Sequence, residues 1–319
     1  MKGNLEVVKQ GMKIFIVDDV HELLITGLSD LGHNVLYLPN ANRADIIRLI
    51  EEQEVLVVRT KTPIDAEVLG AAKKLKVIAR AGAGLDNIDL NLASERGITC
   101  FNAGEANSDA VGEHTLGMLL MLLNHLSRAH AQVKQGIWLR EANRGLELAG
   151  KTIGIIGYGN TGKAVAKKLS GFGVKVLVYD KYLTGFGSKW VVESNWNQIA
   201  AEADILSFHV PLTVETKYYL HQHLIEQFKK PFFLLNLSRG KVVKTDDLIL
   251  GLDQGKILGC ALDVLENENL AELNLEEKKL FEELSKRENV ILTPHIGGWT
   301  KESYAKISEV ILTKLLTFS

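Results

Sequence analysis

"GKTIGIIGYGNTGKAVAKKL", residues 150–169, decides how the rest of the chain is to be read. Its first half is a continuous apolar run, the pattern of a strand buried on both faces. Gly157, Gly159 and Gly162 follow in G-x-G-x-x-G spacing, and a helix-like segment opens on them. A bare glycine triplet says little, because glycine-rich turns are common. Here a strand precedes it, a helix follows, and the next apolar run, "KVLVYD", ends in Asp180, 18 residues beyond Gly162. That combination is the dinucleotide fingerprint. The glycines let the backbone approach a pyrophosphate, the helix start around Asn160 and Thr161 supplies unpaired N–H groups, and the carboxylate accepts from both ribose hydroxyls. Asp180 also repels a phosphate on that ribose, so NAD is expected in preference to NADP, with Lys181 softening the repulsion.

Outward from this stretch, apolar runs alternate with helix-like segments along the chain. Before it stand "KIFIVDD", "NVLYLP", "VLVVRT", "KVIARAG" and "GITCFNAG"; after it stand "KVLVYD", "ADILSFHVP", "FFLLNLSRG", "ILGCALDV" and "VILTPH". Continuous rather than alternating apolar runs indicate parallel sheets covered by helices on both faces, and so an α/β fold. The strands fall into two sets of five or six, separated by residues 108–150. Within that separator "AVGEHTLGMLLMLLNHL" is apolar nearly all round, which means burial in a core or at a subunit interface, the latter being preferred. The tail reads as a helix with Tyr304, Ile307, Ile311 and Leu315 on one face, capped by Thr300.

Composition sets the remaining bounds. With 46% hydrophobic and 24% charged residues the chain is an ordinary globular one, and its 319 residues suffice for two domains. A formal charge of −2 gives no reason to expect nucleic acid or an anionic membrane. Cys100 and Cys260 suggest neither a disulfide framework nor a zinc site, and no metal is expected from His221 and His223, which do not share a helix face. The start of the chain lacks the features of a signal peptide and no apolar run spans a bilayer, so a cytoplasmic protein is expected, with the first eleven residues a short extension.

Six motifs then follow one another: "RAGAGLDNID" at 80–89, "NAGEANSDAVGEHTLGML" at 102–119, "FHVPLTVETKYYL", "LLNLSRGKVV", "ALDVLENENL" and "TPHIGG". In order and spacing they resemble the D-isomer-specific 2-hydroxyacid dehydrogenase family over almost the whole chain from Met12. The resemblance implies that Arg239 clamps the substrate carboxylate and carbonyl, which suits a guanidinium that donates two parallel hydrogen bonds. It implies that His295 exchanges the substrate proton, with Glu268 as its carboxylate partner, five residues beyond Asp263. Glu266 is the tempting wrong choice, and Asn269 stands where the family commonly has proline. Further cofactor contacts are implied at His209, Pro211, Leu237, Ser238, Asp263, Gly297 and Gly298. For His209, packing beneath the cofactor remains an alternative.

On the substrate side Arg59, Thr60 and Lys61 close a strand, Ala83 and Gly84 form a turn whose N–H groups can take a carboxylate, and Asn107 matches a substrate-side asparagine of the family. Arg59 and Lys61 suit a phosphate better than a methyl group, and the resemblance implies NAD-dependent oxidation of a small D-2-hydroxy acid, 3-phosphoglycerate being the expected one. Reduction of glyoxylate or hydroxypyruvate is the nearest alternative, and an NAD-gated dimeric corepressor-like binding module is the alternative of another class. The implied architecture is two doubly wound parallel-sheet domains. A Rossmann NAD-binding domain, 106–294, is inserted in a flavodoxin-like substrate domain made of 1–105 and 295–319, with a hinge between them. The chain ends about where the family's dehydrogenase core ends, so no C-terminal regulatory domain is expected. A homodimer or higher homo-oligomer through the NAD-binding domain is the expected partner state.

Overall fold

The computed structural model describes residues 11–318; the expected N-terminal extension lies outside the described residues but for Gly11. Two compact units result. One runs up to Asn107 and takes the chain back at Thr300; the other is Ser108–Trp299. The sequence leads one to expect these boundaries at 105/106 and 294/295. The difference at the second has a physical cause: the backbone N–H groups of His295, Ile296 and Gly297 all donate to Asp263, which ties this segment to the second unit.

The first unit carries β1 (Lys13–Ile16), β2 (Asn34–Tyr37), β3 (Val55–Val58), β4 (Val77–Arg80) and β5 (Thr99–Asn102). They pair in parallel in the order β2-β1-β3-β4-β5. Every residue of β3 is fully buried, as a central strand covered on both faces requires. The C-terminal helix Lys301–Phe318 lays Ile307, Ile311 and Leu315 on this sheet, next to Leu24 and Leu28. Its start is closed reciprocally, since the Ser303 N–H donates to Thr300 Oγ1 and the Thr300 N–H to Ser303 Oγ, each at 3.0 Å.

The second unit carries β6 (Thr152–Ile156), β7 (Lys175–Tyr179), β8 (Val192–Glu193), β9 (Ile205–Phe208), β10 (Phe232–Asn236), β11 (Ile257–Leu262) and β12 (Val290–Leu292). Their order is β12-β11-β10-β9-β6-β7-β8; all pairs are parallel, and the progression of the chain across the sheet reverses between β6 and β9. Strands in both sheets therefore follow doubly wound orders, and ligands of such sheets bind outside the carboxyl ends at the reversal. β8 was not anticipated: two exposed residues at a sheet edge have no apolar run to announce them.

The helix Gly104–Leu123 divides its apolar residues between two settings. Val111, Met118, Leu119, Leu122 and Leu123 are buried against Ile153, Leu235 and Ile291 in the core of the second unit, while Leu116, Leu120 and Met121 are only partly buried. Exposed apolar side chains come later, at Leu126, Val133, Trp138 and Leu139. Among the described residues no helix is long and apolar enough to cross a membrane.

Candidate active site

The glycine turn sits at the reversal point. Gly157 follows β6 with φ +95°, a conformation in which L side chains are strained, and a Cβ there would lie 2.4 Å from the carbonyl oxygen of His209, which follows β9. A Cβ on Gly162 would lie 2.0 Å from the Gly157 oxygen, so that glycine is set by close helix–strand packing. Gly159 differs: a Cβ there would meet nothing within 4 Å. It caps the helix Asn160–Leu169, whose first-turn N–H groups, Asn160 and Thr161 among them, have no carbonyl of their own helix to bond.

Asp180, just past β7, accepts from the N–H of Tyr158 at 2.7 Å, of Tyr182 at 2.9 Å and of Leu183 at 3.0 Å. Burial alone would raise its carboxyl; the three amide donors outweigh that and hold it below the ordinary aspartate value. A carboxylate offers about four acceptor sites, so roughly one is left for a ribose, and the expectation that it serves both hydroxyls is narrowed accordingly. Lys181 is turned aside, its ammonium 2.5 Å from Glu215.

His209 is buried, with Nε2 2.8 Å from Ser207 Oγ and Nδ1 lacking a hydrogen-bond partner among the described residues. An orphaned ring nitrogen at the reversal point, an open Gly159 and a fixed acid at the end of β7 together fit a dinucleotide. Burial also pushes the ring of His209 down to about 4. Between that value and the ordinary histidine range the unfolded chain binds the extra proton, so stability falls as pH drops through this window, by up to roughly 3 kcal/mol from this group. Denaturant titrations from pH 7 to 4 should show this slope in the parent and a shallower one in His209→Gln; equal slopes would remove the assignment.

The turn after β10 is organised by a residue the sequence reading passed over. Asn236, buried, accepts from Ser238 N at 3.1 Å and Ser238 Oγ at 2.8 Å, and its amide donates to the Arg239 carbonyl at 2.9 Å. Its only sequence signal is an asparagine ending an apolar run. Leu237 and Ser238 are buried, Pro211 is exposed and accepts from Thr216 Oγ1, and Arg239 is partly covered with Nη1 on the Ser238 carbonyl at 2.6 Å.

His295 follows β12 with φ +55°. A non-glycine residue in this region costs about 1–3 kcal/mol and persists only where its surroundings over-determine it. They do: its N–H donates to the Asp263 carbonyl at 2.8 Å, and the Asp263 carboxylate accepts from Ile296 N at 2.9 Å and Gly297 N at 2.7 Å. A Cβ on Gly297 would lie 2.9 Å from that same carboxylate; Gly298, next in the chain, is partly covered. The carboxylate of Asp263, implied to meet cofactor, is thus given to the chain itself.

The ring Nδ1 of His295 lies 3.0 and 2.9 Å from the two oxygens of Glu268. Asn269 does not prevent this, because its N–H donates to Asn267 Oδ1 at 3.0 Å, a local turn that stands where proline would fix the backbone. Glu266 has different work: it accepts from Thr245 N at 2.7 Å at the start of the helix Thr245–Asp253. A Cβ on Gly240 would overlap the Leu265 carbonyl at 1.9 Å, so the Arg239 turn and the segment leading to Glu268 are in direct backbone contact.

In the first unit Arg59, Thr60 and Lys61 follow the carboxyl end of β3 and Ala83 and Gly84 that of its neighbour β4, while Asn107 lies in the helix Gly104–Leu123 after β5. The Arg59 N–H donates to the buried Asp18 at 2.5 Å, and its Nη1 donates to the Asp19 carbonyl at 3.2 Å. Thr60 is exposed. The Lys61 ammonium donates to the carbonyls of Pro39 and Ala41 at 3.4 and 3.2 Å. Asn87, unflagged in the sequence, braces this loop through the carbonyls of Arg59 and Thr62. Ala83 and Gly84 form a half-covered turn whose Ala83 carbonyl accepts from Asn102, and Asn107 keeps a buried Oδ1 without a partner among the described residues.

Comparison with known proteins agrees with this geometry. Residues 116–297 match the family model described as D-isomer specific 2-hydroxyacid dehydrogenase, NAD binding domain. A D-3-phosphoglycerate dehydrogenase of Methanocaldococcus jannaschii is 35% identical over 95% of this chain, which spans only 57% of that protein's length. A hydroxypyruvate reductase of Thermotoga maritima is 36% identical over 85% of this chain and 86% of its own. Among solved structures, a D-lactate dehydrogenase of Aquifex aeolicus, complexed with NAD and lactic acid, superposes with a TM-score of 0.82 over 96% of this chain and 95% of that one, at 29% identity. The chain belongs to the D-isomer specific 2-hydroxyacid dehydrogenase family, with NAD as its cofactor.

Proposed function

We propose that the protein is an NAD-dependent D-2-hydroxyacid dehydrogenase that oxidises 3-phosphoglycerate at C2 to 3-phosphohydroxypyruvate, the first step of serine biosynthesis. The observation that carries the reaction class is the His295–Glu268 pair, a titratable ring held by a carboxylate on a segment fixed by Asp263. With Glu268 ionised, Nδ1 keeps its hydrogen on that partner and Nε2 is the nitrogen left to exchange a proton. In oxidation the hydroxyl proton passes to Nε2 while the C2 hydrogen leaves with its electron pair and the C–O bond becomes a carbonyl; in reduction the same nitrogen returns the proton. NAD, held at the Gly157–Gly162 turn and Asp180, would supply the hydride acceptor. Arg239 holds the substrate carboxylate, its planar guanidinium suited to two parallel hydrogen bonds. In this reading unit Ser108–Trp299 binds the cofactor, and Arg59, Thr60, Lys61, the Ala83–Gly84 turn and Asn107 are the candidate substrate groups of the other unit.

The phosphorylated substrate is supported by the relatives from Methanocaldococcus jannaschii and Archaeoglobus fulgidus, the latter 34% identical over 97% of this chain, and by the guanidinium of Arg59. A second reading, reduction of hydroxypyruvate, is favoured by the Thermotoga maritima relative and by the engagement of Lys61 with its own unit. A steady-state panel of phosphohydroxypyruvate, hydroxypyruvate, glyoxylate and 2-oxoglutarate with NADH and NADPH separates them. The highest kcat/KM is expected for phosphohydroxypyruvate with NADH. Hydroxypyruvate ahead of it would establish the second reading, and equal rates with glyoxylate would overturn the phosphorylated one.

A further inference from the structure

Resting on the reading of His295 as the proton-exchanging group, we infer that His114 is a positioning residue for it, acting through Thr293 and Asp263. His114 lies on the helix Gly104–Leu123, far from His295 in sequence, and the dehydrogenation step itself makes no use of it. Its Nε2 is 3.2 Å from Thr293 Oγ1 and 3.6 Å from Asp263 Oδ1. The Thr293 hydroxyl donates to that same Oδ1 at 2.6 Å. A hydroxyl has one hydrogen, so Thr293 can only accept from His114, and the imidazole must carry its hydrogen on Nε2. A directed chain results: His114 N–H to Thr293 oxygen, Thr293 O–H to the Asp263 carboxylate.

Asp263 is 2% exposed, and a carboxylate so buried needs hydrogen-bond partners for its acceptor sites. Thr293, Ile296 N and Gly297 N fill about three of the roughly four it offers, and His114 stands at the edge of the fourth. The carboxylate in turn fixes the backbone after His295, and the Asp263 carbonyl fixes the His295 N–H in its left-handed conformation. Without His114 the Thr293 hydroxyl has a competing acceptor, the sulfur of Met118 at 3.6 Å, on the same helix. His114 therefore adds a second hydrogen bond that holds the Thr293 hydroxyl against Asp263, and through Asp263 bears on where the His295 ring stands.

His114→Ala is expected to lower kcat about 10- to 100-fold, since displacing a reacting group by about 1 Å costs that order. Apparent NADH affinity should change by less than about threefold, as no uniform binding contact is removed. His114→Gln keeps an N–H at the reach of Nε2 and should recover kcat to within about fivefold of the parent. Thr293→Val should reproduce the loss, and the double variant should be no worse than Thr293→Val alone, because residues in one chain of hydrogen bonds are non-additive. A kcat within twofold of the parent in His114→Ala, multiplying losses in the double variant, or no recovery in His114→Gln would each overturn the assignment. If the parent turns over none of the keto acids, the proton-exchange reading of His295 fails. The positioning role is then decided by the ring N–H resonance of His295, identified by its disappearance in His295→Asn. That resonance should move in His114→Ala and return in His114→Gln; an unmoved resonance overturns the role.

Discussion

His295→Asn is expected to lower turnover by about 10²- to 10⁴-fold, the usual contribution of a positioned acid–base group, while leaving NADH affinity within about twofold of the parent. Asparagine is the informative replacement. It tolerates a left-handed backbone better than most residues, so the φ of +55° is kept without new strain, and it can donate to Glu268 but cannot exchange a proton. Alanine would remove the chemistry and disturb the backbone together. The backbone N–H groups of residues 295–297 remain free to bond Asp263 in His295→Asn, so the segment should stay in place. Loss of turnover and of NADH binding in parallel would mean that His295 holds the segment together rather than moving a proton.

The glycine turn gives the second large effect, and it separates two causes that usually travel together. Gly157→Ala combines a φ of +95° with a Cβ 2.4 Å from the His209 carbonyl, a backbone atom that cannot swing away. Strain and overpacking should sum to about 3–5 kcal/mol, a large share of the stability of an ordinary domain, and lower Tm by roughly 6–15 °C. Gly159→Ala should leave stability within about 0.5 kcal/mol, since its Cβ enters open space in the folded chain. That space is where the dinucleotide backbone is expected, so NADH affinity should fall about tenfold or more. Thermal melts and NADH fluorescence titrations of both variants test this. Normal NADH affinity in Gly159→Ala would move the dinucleotide away from the turn.

What the sequence made legible follows from range. The glycine turn, the acid at the end of β7 and ten of the other strands are local patterns, and apolar runs with turn signals suffice to read them. β8 escaped because a two-residue exposed edge strand has no such run. The helix Gly104–Leu123 reads from its composition as buried on every side, but periodicity cannot say what covers each face; Ile153, Leu235 and Ile291 cover one, while Glu113 and Gly117 are exposed. Asn236, Asn87 and His114 were missed for the same reason. Each is a polar residue whose partners are set by tertiary contacts, and His114 meets Thr293 and Asp263 only once the sheet is formed. Lys61 shows the converse, a charge whose sequence neighbourhood suggested a ligand and whose ammonium bonds two carbonyls of its own unit.

The most direct measurement is hydride transfer from C2 itself. D-3-phosphoglycerate deuterated at C2, incubated with NAD and the parent protein, should yield NADH carrying the deuterium, with slower turnover than the protiated acid, while the L-isomer yields none and His295→Asn yields label only at its reduced rate. Deuterium released to solvent, or NADH formed equally from the L-isomer, would contradict the account.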